Sequence, residues 1–238
     1  MTAEVGPAAL VSDRALLGRS STADRVADIL RARIAEGYLP PGSKLSEDAI
    51  GNALGISRNT LREAFRLLTH ERLLVHELNR GVFVRVLTVQ DVTDIYQVRR
   101  LIECAAVRNL GVPPYDLSTA EAAVAVGEKA AREGAWRELG TANIYFHHAV
   151  VALAHSKRLD ELMRGVLAEL RLVFHAMDNP RDFHEPYLAR NREILAALKA
   201  ADRVKAELLL AAYLDDAEKQ LVQRYSDSIA AEGGTARL

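Results

Sequence analysis

The sequence predicts a mainly α-helical protein in two parts: three short helices closed by a β-hairpin, then an antiparallel bundle of six to seven helices. Three observations carry that expectation. Between Thr22 and Leu68, apolar residues recur at three- and four-residue steps, in runs cut short by glycine and proline. The one stretch of β character, Leu73–Val86, is interrupted by Gly81. Everything past Thr88 is alanine-rich and amphipathic, with no further strand signal.

Val26, Ile29, Leu30 and Ile34 define the face of a first helix, which ends near Gly37. The loop Gly37–Leu45 is dense in breakers and leads to Ser46, whose hydroxyl can cap a short helix through Ala53. After the break at Leu54-Gly55-Ile56, Ser57 can cap a third helix that buries Leu61, Ala64, Phe65 and Leu68 and leaves Arg58, Asn59, Arg62 and Arg66 outside. Leu73–Glu77 and Val82–Val86 then pair as a hairpin with a glycine turn. This order is that of a winged helix-turn-helix, in which the third helix fits a major groove and the hairpin tip reaches a flanking backbone. Six further helices are expected at 90–110, 118–134, 136–154, 157–176, 183–200 and 202–226, with Ser118 and Glu121 at the spacing of a capping box. Tyr145, Phe146, Leu170 and Phe174 read as core. The divisions are a flexible arm at 1–21, a winged helix-turn-helix domain at 22–87, a helical domain at 88–228 and a disordered tail at 229–238.

At 238 residues and 49% hydrophobic content the chain can bury a core in each part. The lone Cys104 cannot form an intrachain disulfide, and beside Ala105 and Ala106 it fits packing better than reactivity. No stretch approaches the roughly 18 uncharged apolar residues of a membrane span. The first twenty residues lack the basic start and apolar run of a signal peptide, so a cytoplasmic protein with no membrane partner is expected. The net charge of -1 hides an uneven distribution: residues 1–86 hold 12 basic against 10 acidic residues, and the remainder 19 against 22. Within 57–86, six arginines face three glutamates, a segment suited to phosphates. No GxSxG elbow, phosphate loop, HExxH or dinucleotide fingerprint is present, so an enzyme is not expected.

The runs Tyr38–Glu47, Leu54–Ala64 and Asn79–Val84 resemble the GntR family of transcription regulators, and Asp94–Arg99 followed by Glu103 resembles its FadR subfamily, whose effector domain is an antiparallel helical bundle called FCD. The likeness spans residues 22–226. It implies that the third helix reads a major groove and the wing tip touches minor groove or backbone, through Ser57, Arg58, Arg62, Arg80 and Gly81. Arg58 and Arg62 are four apart on one helix face, and a guanidinium can bond both acceptors of a guanine. Ser57, Asn59 and Thr60 are short donors at a helix N-terminus. Where the family often has an arginine one turn into the second helix, this chain has Asp48, a departure that removes that arginine's DNA contact and is expected to alter the operator preference. A homodimer on a near-palindromic operator is implied.

Many FCD domains hold a divalent metal through an aspartate, a histidine four residues later and two further histidines. At the matching positions this chain has Asn143, His147, Asn191 and Tyr213, so only His147 survives of four. Amides and a phenol suit a dication poorly, and no metal cofactor is expected. His148, His155, His175 and His184 leave open a site formed by another route. A pocket of Asn143, His147, Asn191 and Tyr213 suits a small polar effector, whose carboxylate could be received by Arg99. Arg99 could equally form an ion pair with Glu103 one turn on. A metal-dependent sensor with an unusual ligand set, and a dimeric regulator without effector, are the alternatives.

Overall fold

The computed structural model describes residues 21–175 and 179–231, with side chains described as far as Ser226. The expected arm lies outside the described residues except for Ser21, and so does the tail beyond Ala231. Among the described residues two compact units form: one holds residues 21–39 together with Ser43–Val84, the other Pro40–Gly42 with residues 85–175 and 179–231.

In the first unit, α1 (Thr22–Ala35) starts at a capping box in which Ser21 Oγ accepts from the Asp24 amide and Asp24 receives the Ser21 amide. Its buried face is Ala23, Val26, Ala27, Leu30 and Ile34. Ile29, expected there, is 44% exposed, because one residue is a 100° rotation and carries it off the Val26–Leu30–Ile34 line. α2 (Glu47–Leu54) is capped by Ser46 and stops at Gly55, whose φ of 63° suits a residue without Cβ. α3 (Arg58–His70) is capped by Ser57 and packs on α1 through Leu61, Ala64, Phe65 and Leu68, of which the leucines and the phenylalanine each contribute about 1.5–3 kcal/mol of apolar burial.

The hairpin is β2 (Leu74–Glu77) and β3 (Gly81–Val84), antiparallel with His76 opposite Val82. Its strands are shorter than expected, since Leu73, Arg85 and Val86 stay outside the ladder, and the turn places Asn79 as well as Gly81 at positive φ. A third strand, β1 (Lys44–Leu45), pairs with β3 in the order β1-β3-β2. That segment reads as loop in the sequence, because two residues are too few to show an alternation.

The second unit is a helical bundle: α4 (Val89–Arg99), a π-helical turn (Arg100–Cys104), α5 (Ala105–Arg108), α6 (Ser118–Glu133), α7 (Trp136–Ala152), α8 (Lys157–His175), α9 (Pro180–Lys199) and α10 (Arg203–Ala231). The stretch expected as one helix at 90–110 is thus interrupted by a wider turn, a feature that often sits at functional sites. The expected capping box at Ser118 is not formed: Leu117 is the cap residue, and Ser118 Oγ and its amide both donate to Asp116 Oδ1. α9 begins three residues earlier than expected, with Pro180 in its first turn, and α10 runs past 226. α7 packs on α6, α8 and α9, and Phe146, Val150, Met163, Leu170, Ile194 and Leu214 are among the fully buried side chains. Tyr145, expected in the core, is 57% exposed, whereas Phe174 is half-buried against Phe183 and His184. Among the described residues no helix is long and apolar enough to cross a membrane.

Candidate functional site

The first unit gathers cations on one open face. The Ser57 cap holds the start of α3, with its Oγ accepting from the Thr60 amide and lying 2.8 Å from Thr60 Oγ1, so both hydroxyls are engaged in capping. One residue and one turn on, Arg58 and Arg62 project outward beside exposed Asn59. At the hairpin tip Arg80 lies over the Phe83 ring at 5.5 Å and pairs with Glu77, while Lys44 from β1 lies over the same ring at 5.9 Å. Gly81 has a φ of 111°, a backbone conformation that side-chain-bearing residues rarely adopt, so the turn favours glycine there; a Cβ would meet only the flexible end of the Lys44 side chain, at 3.2 Å.

Arg58, Arg62, Arg80 and Gly81 therefore line one open depression of about 490 Å³, together with Lys44 and Asp48. The sequence puts Arg58 and Arg62 on one helix face, and the fold brings Arg80 and Gly81 beside them; the pairing of the two arginines with α2 is not visible in the sequence. The acidic first turn of α2 holds both arginines: Asp48 Oδ1 lies 3.0 Å from Arg58 Nη2, and Arg62 Nε donates to Glu47 at 2.9 Å.

In the second unit, five helical elements converge on a buried polar cluster. α4 and the π turn bring Arg99 and Glu103, α7 brings Asn143 and His147, α9 Asn191 and α10 Tyr213, none more than 8% exposed. Arg99 Nε donates to Glu103 Oε1 at 2.7 Å, so the ion pair with Glu103 is formed, and Glu103 Oε2 lies 2.6 Å from His147 Nδ1. Burial opposes the charge of Glu103, but Arg99 and His147 outweigh it and hold the carboxyl below its ordinary range. Burial, with Arg99 nearby, pushes the His147 imidazole down and keeps it neutral. An ionised carboxylate can only accept, so the His147 proton sits on Nδ1 and Nε2 presents a lone pair.

Tyr213 and Asn191 both donate to Asn143 Oδ1, at 2.9 and 2.7 Å, and the His147 and Tyr213 rings meet edge-on at 4.7 Å. Burial drives the Tyr213 phenol far above its ordinary value, so it stays protonated. Three buried polar atoms in this cluster have no partner among the described residues: Arg99 Nη2, His147 Nε2 and Asn191 Oδ1. All five sequence-predicted residues are thus joined, with Glu103 as the link between Arg99 and His147. Its second contact escaped sequence reading because Glu103 and His147 are 44 residues apart. Among the described residues no group of three or more His, Cys, Asp or Glu side chains is arranged to hold a metal.

Further along α7 and α9, the His184 ring lies on Gly140, where a Cβ would fall 2.6 Å from Nε2. Gly140→Ala is expected to destabilise the protein by about 1–3 kcal/mol in urea unfolding, because the buried ring and backbone leave little room to move. Burial, with Arg171 nearby, lowers the His184 imidazole from 6.5 to about 4. An unfolded His184 therefore binds its proton at higher pH than the folded one. Stability is complete above the unfolded value and falls as pH drops from about 6.5 toward 4, by roughly 3 kcal/mol from this residue. Urea midpoints at pH 7 and pH 5 should differ less in His184→Gln; an unchanged difference would assign the acid loss to other groups.

Comparison with known proteins places both units. The model for bacterial regulatory proteins of the gntR family matches residues 22–84, and the FCD domain model matches residues 94–216. The chain is 31% identical over 140 residues to the HTH-type transcriptional regulator YdhC of Bacillus subtilis (strain 168), covering 58% of this chain and 62% of that one, less than two thirds of its length. It is 31% identical over 206 residues to the “Probable D-xylose utilization operon transcriptional repressor” of Paenarthrobacter nicotinovorans, covering 83% of this chain and 89% of the other. A crystal structure of a GntR regulator from Rhodococcus sp. RHA1 is 48% identical, with a TM-score of 0.84 over 87% of this chain and all of that one.

Proposed function

The chain belongs to the GntR family of bacterial regulatory proteins, with an FCD domain in an architecture that fits the FadR subfamily, and we propose how its two units divide the work of a DNA-binding transcription regulator. In the first unit α3 enters the major groove, with Arg58 and Arg62 reading base edges and Ser57, Asn59 and Thr60 near the phosphates; Arg80 and Gly81 at the wing tip meet the flanking backbone. Two copies act together as a homodimer on a near-palindromic operator, in the cytoplasm.

The second unit binds a small polar effector without a metal, at Arg99, Asn143, His147, Asn191 and Tyr213. The observation that carries this reading is the trio of buried atoms without partners among the described residues, Arg99 Nη2, His147 Nε2 and Asn191 Oδ1, on three separate segments of one cluster. Buried polar atoms are nearly always satisfied, and leaving three open in one place costs about 1–3 kcal/mol each unless a ligand completes them. Arg99 Nη2 offers a donor to a carboxylate, while His147 Nε2 and Asn191 Oδ1 accept from hydroxyl or amino groups. A dication fits this set badly: Asn143 Oδ1 already takes two hydrogen bonds, the Tyr213 phenol keeps its proton, and Glu103 is engaged by Arg99 and His147. Ligand then favours one disposition of the DNA-binding units over another, and operator affinity changes by its differential affinity for the two states.

A panel of hydroxylated and unsubstituted small carboxylates, screened by thermal shift and then added to an operator titration, tests this. A stabilising ligand that changes operator affinity, and loses its effect in Asn191→Leu, is expected. Binding that persists unchanged in that variant would move the effector elsewhere.

A further inference from the structure

Asp48 sits at the start of α2, 70% exposed, with its Oδ1 3.0 Å from Nη2 of Arg58, itself 71% exposed. Both side chains line the open depression of about 490 Å³ between α3 and the hairpin tip. An acidic side chain on a surface that meets phosphates repels every DNA sequence alike. Such a cost is recovered only where the carboxylate meets a donor, and among base edges in the major groove the amino group of cytosine is the one it accepts from most directly.

We propose that Asp48 is a specificity-determining residue, which steadies the Arg58 guanidinium and reads a cytosine amino group next to the guanine that Arg58 reads. The ion pair uses one oxygen of Asp48 and one nitrogen of Arg58, so a carboxylate oxygen and further guanidinium N–H groups remain for base edges. Together the two side chains present an acceptor beside donors, the complement of a cytosine amino group beside the O6 and N7 of guanine. Non-operator DNA meets the same carboxylate without that reward, so Asp48 widens the gap between specific and non-specific binding. The Arg62–Glu47 pair differs: Glu47 is more buried and engages Nε, leaving the outer nitrogens of Arg62 clear of it.

The inference rests on Arg58 being a base reader, and the test separates the two. Selection from a duplex library with randomised half-sites would be run with the full-length protein, Asp48→Ala, Asp48→Asn and Arg58→Ala, and the affinity of each for non-operator DNA measured alongside. Wild type is expected to enrich a guanine with a neighbouring cytosine. Asp48→Ala keeps the guanine, loses roughly tenfold of discrimination at the cytosine and binds non-operator DNA more tightly. Asp48→Asn shifts that neighbouring position toward adenine, whose N6 and N7 match an amide. If Asp48→Ala selects the same motif with the same discrimination at every position while Arg58→Ala loses the guanine, the role of Asp48 is overturned and the reading of Arg58 stands. If Arg58→Ala keeps the guanine, both are overturned.

Discussion

Glu103→Ala is expected to lower unfolding stability by about 3–5 kcal/mol, because it strips the counter-charge from fully buried Arg99. The same carboxylate holds His147 Nδ1, so its loss leaves a second buried donor open. In a helical unit of this size that corresponds to a melting temperature lower by roughly 10 °C. Glu103→Gln keeps the shape and one hydrogen-bonding oxygen and should fall between wild type and Glu103→Ala. The pH dependence has a definite sign: a carboxyl held below its ordinary value stabilises the fold above that value, and the contribution disappears as pH falls through the folded one. Urea unfolding of the two variants near pH 7 checks this. A loss below about 1 kcal/mol in Glu103→Ala would mean that water or rearrangement satisfies Arg99, and that the cluster is less closed than its geometry indicates.

Arg58→Ala and Arg62→Ala should each weaken operator binding by about 10- to 100-fold, the range of a bidentate base contact, while leaving melting behaviour nearly unchanged. Both arginines are exposed on α3, and their pairs with Asp48 and Glu47 are surface ion pairs of small stabilising value. Non-operator DNA should suffer less, since a base contact carries sequence information and a phosphate contact does not. Fluorescence anisotropy with operator and scrambled duplexes at two salt concentrations separates the cases. Equal loss on both duplexes would reassign these arginines to the phosphates; no loss on either would remove α3 from the DNA-reading role.

Much of this was legible in the sequence because the deciding interactions are local. Serine caps announce α2 and α3 within three residues of the helix start, and Arg58 and Arg62 share a face by spacing alone. The bundle helices appeared within a few residues of their limits because alanine-rich amphipathic runs are long and their breakers strong. What escaped was set by competition or by distance. At Ser118 the neighbouring Asp116 captures the hydroxyl that the capping-box spacing assigns elsewhere. β1 exists only because β3 has an open edge for Lys44 and Leu45. The π turn at Arg100–Cys104 leaves no mark in residue type, yet it carries Glu103, and the contact of that carboxylate with His147 is made by tertiary packing. From the sequence, pairing with Glu103 and receiving an effector are alternatives for Arg99. The geometry allows both, since Nε serves Glu103 and Nη2 remains open.

The effector cluster as a metal-free site is tested most directly by the metal content of full-length protein purified without an affinity tag or chelator, beside His147→Ala prepared the same way. Well under one equivalent of zinc, nickel or manganese is expected in both, with ligand-induced stabilisation of the wild type surviving added chelator. Near-stoichiometric metal in the wild type that disappears in His147→Ala would contradict a site built on Asn143, Asn191 and Tyr213 as hydrogen-bonding groups.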